Sequence, residues 1–112
     1  MQTFSYEESE EMIMALVINA RSRDLGYMRE LMNLLDNPQQ RLKFIHVTGT
    51  NGKGSISKYI NDILINSGYK VGLYTSPHKK KLNERFLINN IEITDDRFTE
   101  IFSLVHSAVQ IM

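Results

Sequence analysis

Thr48-Gly49-Thr50-Asn51-Gly52-Lys53-Gly54-Ser55 is the stretch whose residue types are best suited to chemistry. Glycines let a backbone turn tightly and aim several N–H groups at one point. A helix that follows adds partial positive charge at its first turn, and the two together form a cradle for phosphate. In such a cradle Lys53 sets its ammonium on the terminal phosphates of a nucleotide, and the Ser55 hydroxyl holds Mg²⁺ or a phosphate oxygen. Gly49, Thr50, Asn51, Gly52, Lys53, Gly54 and Ser55 are therefore the expected nucleotide-binding residues. The strict pattern G-x-x-x-x-G-K-[ST] is not met: its first glycine would fall at Val47, and Lys53 is followed by Gly54. Without chemistry, the same residues make a glycine-rich turn beside a solvated lysine.

A cradle needs a strand before it and a helix after it. Lys43-Phe44-Ile45-His46-Val47-Thr48 is apolar and β-branched and predicts a buried strand, with His46 as a core residue. Ile56, Tyr59, Ile60, Ile63 and Leu64 predict one face of a helix, closed by Gly68. Lys70 to Thr75 predicts a second strand. Strand, helix and strand fit the ~30 residues of a βαβ unit, so the two strands are expected to be parallel with a right-handed crossover. Ligands in open parallel sheets bind beyond the carboxyl ends of the strands. Thr75-Ser76-Pro77-His78 would then share an edge with the glycine loop, where either Thr75 or Ser76 reaches the phosphates or their metal, or Ser76 merely starts a turn before Pro77.

Two helices are expected ahead of this unit. Ile13, Leu16, Val17 and Ala20 recur at helical spacing within Tyr6–Ser22, with Glu7 and Glu8 in the first turn, where the helix dipole favours negative charge. Met28, Leu31, Met32 and Leu35 repeat the spacing, and Asn37-Pro38 stops the second helix. The methionine stripes read as core. After the unit, Asn89-Asn90 between two short apolar runs predicts a tight hairpin. Phe98, Ile101, Phe102, Val105 and Val109 then line a last helix, with Thr94 or Asp95 as N-cap. The fold class is thus α/β: a P-loop-type parallel βαβ unit preceded by two helices and followed by a β-hairpin and a helix. Residues 1–38 form the helical segment and 39–112 the phosphate-binding segment, hairpin and helix.

Composition excludes several alternatives. The 112 residues suffice for one small domain, and 42% hydrophobic content supports a core. Zero net charge argues against a dedicated nucleic-acid binder. With no cysteine, disulfides and thiolate metal sites are excluded. The first residues lack the order of a signal peptide, and the most apolar run, Met12 to Ala20, is far shorter than the ~20 residues of a membrane span. A soluble, cytoplasmic chain without membrane partners is expected. Lys79, Lys80, Lys81 and Arg85 make a basic loop, either solvated or attracting an anionic ligand. His106 reads as structural, and neither a zinc-site spacing nor a Ser-His-Asp constellation occurs.

The blocks resemble a known family. Ile45 to Ser55 is similar to the phosphate loop of folylpolyglutamate/dihydrofolate synthases, a branch of the Mur ligase family. Gly68 to His78 resembles the next block of that family, Asn83-Glu84-Arg85 with Ile88-Asn89 the one after, and Asn37-Pro38-Gln39 fits before the first strand. The similarity covers most of residues 24–98, in the family's order and spacing. It implies part of a Mur-ligase-like ATP-binding domain, the amino-terminal part of a longer enzyme. It implies ATP and Mg²⁺ as cofactors, and folate or dihydropteroate and L-glutamate as substrates. The reaction would convert a carboxylate to an acyl phosphate that the glutamate amine attacks. Lys53 would be the catalytic cation, steadying charge on the transferred phosphoryl group. Ser76 matches the serine that ligates Mg²⁺, and Asp24-Leu25-Gly26 matches a stretch near the pterin. His78 and Arg85 join these as substrate-binding candidates. Lys79 and Leu82 depart from the leucine and phenylalanine common in the family. Because family members are several times longer, the chain by itself is expected not to turn over, and to self-associate. A generic P-loop ATPase or kinase and a non-catalytic nucleotide-binding fragment are the competing readings; the first does not account for the Tyr74–His78 and Asn83–Arg85 blocks.

Overall fold

The structure, a computed structural model, describes residues 3–19, 25–49 and 52–112, without the side chains of 16–19. In order these form α1 (Tyr6–Asn19), α2 (Gly26–Leu34), a 3-10 turn (Pro38–Arg41), α3 (Lys53–Asn66), β1 (Gly72–Tyr74), a second 3-10 turn (Leu82–Arg85), β2 (Phe86–Ile88), β3 (Ile91–Glu92) and α4 (Asp95–Ile111). Two compact units result: residues 1–44 with 95–112, and residues 45–94.

In the first unit α1 starts on a reciprocal cap. The Ser5 hydroxyl accepts the Glu8 N–H at 3.1 Å, and the Glu8 carboxylate accepts the Ser5 N–H at 3.0 Å. This capping box satisfies two amides that a helix start leaves without intrahelical partners. The Ser5 backbone N–H, and then its hydroxyl, hold the Glu8 carboxyl below its ordinary value. Helix α2 ends in a Schellman motif: the Asn37 N–H reaches the Met32 carbonyl at 2.7 Å and the Asp36 N–H that of Asn33 at 3.2 Å. The motif places Asp36 at φ 66°, and Asn37 follows at φ 47° before Pro38. Asp36 occupies the left-handed position that glycine fills at least cost, so Asp36→Gly should raise unfolding stability by roughly 0.5–1 kcal/mol. A denaturant titration checks it. A lower midpoint would mean that the exposed Asp36–Arg41 ion pair, at 3.7 Å, outweighs the backbone strain.

Helices α1 and α2 pack on α4. The rings meet edge to face, Tyr6 on Phe98 at 5.5 Å and Phe4 on Phe102 at 5.2 Å, with His106 4.7 Å from Phe4. His106 is thus a structural residue, as its position on the last helix suggests. Ser9 and Ser103, like Phe98 and Ala108, are buried in this unit. Their hydroxyls return to their own helices, to the carbonyls of Tyr6 at 2.8 Å and Thr99 at 2.9 Å, so both serines are buried with their hydrogen bonds made. The buried face of α4 carries Phe98, Ser103 and Ala108, whereas Ile101 and Val109 of the expected face are exposed. Of the expected α1 stripe, Leu16, Val17 and Ala20 lie outside the described side chains.

The second unit corrects the sheet expected from the sequence. β1, β2 and β3 form a three-stranded antiparallel sheet in that order, with Leu73 opposite Leu87 and Ile88 opposite Ile91. Residues 43–49 carry no strand. The parallel strand–helix–strand unit is therefore absent among the described residues. A parallel strand is buried on both faces and needs cover there, whereas Phe44 and Ile45 are 68% and 64% exposed. His46 is likewise exposed rather than in a core. Helix α3 packs on β1. Ile60 and Leu64 are half-buried, while Ile56, Tyr59 and Ile63 of the same expected face are open. Gly68, at φ 95°, closes α3 as a second Schellman motif, with Tyr69 N–H on the Leu64 carbonyl and Gly68 N–H on that of Ile65.

The hairpin is as expected, and its two asparagines do more than turn. Asn89 and Asn90 both take positive φ, 50° and 67°, as a type I′ turn requires. The Asn89 side chain accepts the Val71 N–H at 2.8 Å. The Asn90 carbonyl oxygen accepts the buried Asn61 amide at 2.8 Å and the Lys58 ammonium, and its amide donates to Asp62 at 3.2 Å. The turn is thereby clamped to α3.

Candidate functional site

The glycine loop meets α3 with positive φ at Gly49 (139°) and at Gly52 (75°), the helix N-cap. Glycine adopts both conformations without the clash a Cβ would bring. The N-cap residue is itself a glycine and supplies no side-chain cap. The Ile56 N–H bonds the Gly52 carbonyl at 2.9 Å. The amides of Lys53, Gly54 and Ser55 come before that bond, at a position where a helix offers free donors and positive partial charge. Lys53, Gly54 and Ser55 are exposed, and a Cβ added at Gly54 would meet nothing within 4 Å. Thr50 and Asn51 lie outside the described residues.

Ser76 follows β1, is exposed, and precedes a cis peptide bond to Pro77. Beyond it the chain folds back on itself. Glu84 accepts the N–H groups of Lys79 (3.0 Å), Lys80 (3.0 Å) and Lys81 (2.9 Å). Those bonds, led by the Lys79 N–H, hold its carboxyl below the ordinary 4.5. A depressed folded-state value means that the stabilisation is fully present above that ordinary value and is lost as pH falls through the depressed one. Asn83 is buried and donates to the Ile93 carbonyl at 2.8 Å. Arg85 donates from Nε to His78 Nδ1 at 2.7 Å, so two of the expected substrate-binding residues are brought together.

Leu25 and Gly26 stand at the start of α2, in the other unit, and Asp24 lies outside the described residues. Leu25, Met28 and Met32 line a groove of about 420 Å³ with Arg29, Asn33 and Gln40. Among the described residues no cluster of three His, Asp or Glu side chains is placed to hold a metal, and no helix is long and apolar enough to cross a membrane. Glu84 was missed in the sequence because its partners are backbone amides. The signal lay in its spacing, three residues after Lys81, as in a capping box.

No protein-family profile matches the chain. Individual proteins do. The chain is 40% identical over 86 residues to a dihydrofolate synthase/folylpolyglutamate synthase of Bacillus subtilis (strain 168), covering 77% of this chain and 20% of that protein. A solved folylpolyglutamate synthetase from Lactobacillus casei superposes with a TM-score of 0.88 at 37% identity, over 96% of this chain and 27% of that one. A structure described as an FPGS–AMPPCP–folate complex matches with a TM-score of 0.81 at 38% identity, over 96% of this chain and 26% of that one.

The class defined is that of α/β proteins of the Mur-ligase-like kind to which those solved structures belong. Within it the chain belongs with the folylpolyglutamate and dihydrofolate synthases, as a segment spanning 20–27% of the relatives it matches.

Proposed function

We propose that the chain is the phosphate-binding segment of an ATP-dependent ligase that joins L-glutamate to a folate or to dihydropteroate. In that reaction the γ-phosphoryl group of ATP passes to a substrate carboxylate, giving an acyl phosphate and ADP. The glutamate amine then attacks the acyl carbon, and phosphate leaves as the amide forms. The observation that carries this reading is the start of α3 at an N-cap glycine, behind two glycines at positive φ and with Lys53 as its first residue. The relative bound to AMPPCP, an ATP analogue, and folate supports it.

Each residue has a task. The loop amides of Gly49–Ser55 cradle the phosphates, and Lys53 steadies the charge that develops during phosphoryl transfer. Ser55 and Ser76 offer exposed hydroxyls, hard oxygen donors of the kind Mg²⁺ takes together with phosphate oxygens and water. The ion when bound neutralises charge on the phosphates. Leu25 and Gly26, with Asp24, border the pterin site.

The test is an amide chemical-shift titration of the chain with Mg²⁺–AMPPCP. Shifts should concentrate at Gly49–Ser55. Gly54→Ala should divide stability from binding. Alanine in a helix is favoured over glycine by roughly 0.5–1 kcal/mol, and the space at Gly54 is open, so the ligand-free variant should be at least as stable. Its methyl group would crowd an approaching phosphate, so binding should weaken. Shifts centred away from this loop, or unchanged binding by Gly54→Ala, would contradict the cradle.

A further inference from the structure

We propose that Glu84 is a positioning residue, which folds the 78–84 loop onto itself so that His78 and Arg85 present a fixed, donor-only pair to an anionic oxygen of the substrate. The proposal rests on the ligase reading for the identity of that anion, not for the geometry of the pair.

Three successive backbone amides, those of Lys79, Lys80 and Lys81, converge on one carboxylate within 3.0 Å. Left to themselves, three neighbouring amides of an exposed loop point at water and the loop samples many shapes. Glu84 removes that freedom by accepting all three. The loop is tied at a second place: the Thr75 N–H donates to the Arg85 carbonyl at 3.1 Å, which pins Arg85 next to the residue before Ser76. Between these two ties lies the pair itself, Arg85 Nε on His78 Nδ1 at 2.7 Å. The Arg85 Nε–H can only donate, so Nδ1 is the accepting nitrogen in this bond and the ring N–H lies on Nε2.

That settles what the pair offers. The Nε2–H of His78 is a donor, and the terminal amino groups of Arg85 are donors in a rigid fork. Neither side chain retains an acceptor. A donor-only pair selects anionic oxygen, because charge-assisted hydrogen bonds to carboxylate or phosphate are about twice as strong as neutral ones. Exposed Lys79 and Lys80 add positive field around it. The shared chemistry of the ligand is therefore an anionic oxygen, from a phosphate or from the carboxylate of a folate.

The experiment compares the wild type with Glu84→Ala and Glu84→Gln. One readout is the imidazole ¹⁵N pattern of His78, which reports its tautomer. The other is affinity for inorganic phosphate and, separately, for pteroylglutamate, with amide spectra of α1 and α4 as the folding control. Glutamine placed with its oxygen at the Oε2 position keeps the bonds from Lys80 and Lys81, so it should hold the tautomer and lie within about twofold of wild type. Glu84→Ala should mix the tautomers and weaken one of the two anions about tenfold, the loss of roughly one charge-assisted bond. Whichever anion weakens is the one the pair receives. An unchanged tautomer and unchanged affinities in Glu84→Ala would overturn the proposal, as would a wild type that binds neither anion. A missing AMPPCP response at residues 53–55 would instead count against the nucleotide reading, since the His78 tautomer is read without nucleotide.

Discussion

On the proposed ligase reading, Lys53→Ala made in a longer protein that contains this chain is expected to lower kcat/KM for glutamate addition by roughly 10²–10³-fold. That is the scale seen when one preorganised group that meets developing charge is removed. Lys53 is exposed at the first position of α3, and among the described residues no group holds its ammonium that the substitution would orphan. The loss should therefore appear in the kinetics and not in stability. Residues 1–112 alone should show no glutamate-dependent release of ADP. An acyl phosphate survives only in an enclosed, dry centre, whereas Lys53, Ser55 and Ser76 are all exposed. Steady-state kinetics of wild type and variant decide it. A loss below about threefold would place the catalytic cation elsewhere.

Phe98→Ala should be the most damaging single change to the fold. Phe98 is one of the few buried apolar residues among those described, and its ring meets Tyr6 edge to face at 5.5 Å. Deleting a buried phenylalanine side chain costs about 3–5 kcal/mol, a large part of the 5–15 kcal/mol that holds a typical domain together. Loss of α1–α4 helical signal at a lower temperature should follow in circular dichroism. Phe102→Ala removes a ring that is only half-buried and should cost less. Equal, small effects from both would mean that the α1–α4 contact contributes little.

The parts of this fold that depend on local chemistry were legible in the sequence. Asn37-Pro38 and Gly68 end their helices as expected, because left-handed backbone and missing N–H groups are properties of those residues alone. Asn89-Asn90 turns the hairpin for the same reason. What failed depended on partners. Phe44-Ile45-His46-Val47 has the composition of a buried strand, but a ladder requires a neighbour, and β1 pairs with β2. The apolar stripes of α3 and α4 were read correctly as periodic, yet period does not say which rows are covered. Ile60 and Leu64 are half-buried whereas Ile56 and Ile63 are open. Ser9 and Ser103 could not be foreseen as buried, because each satisfies its hydroxyl within its own helix.

At the site the glycines were legible by type: Gly49 and Gly52 take the positive φ that a tight loop demands. The pairing of His78 with Arg85 across seven residues was not, since only the folded loop brings them within 2.7 Å. The open stripe of Ile56, Tyr59 and Ile63 also bears on handling. Exposed contiguous apolar surface invites association, so the isolated chain is expected to self-associate as its concentration rises.

The most direct test of the phosphate-cradle account is isothermal titration of Mg²⁺–AMPPCP into the 112-residue chain and into Lys53→Ala. The account predicts saturable one-to-one binding by the wild type and binding at least about tenfold weaker in the variant, equivalent to the loss of one charge-assisted contact of roughly 1.4 kcal/mol. Equal affinities, or no binding by a wild type whose helical spectrum shows it folded, would contradict it.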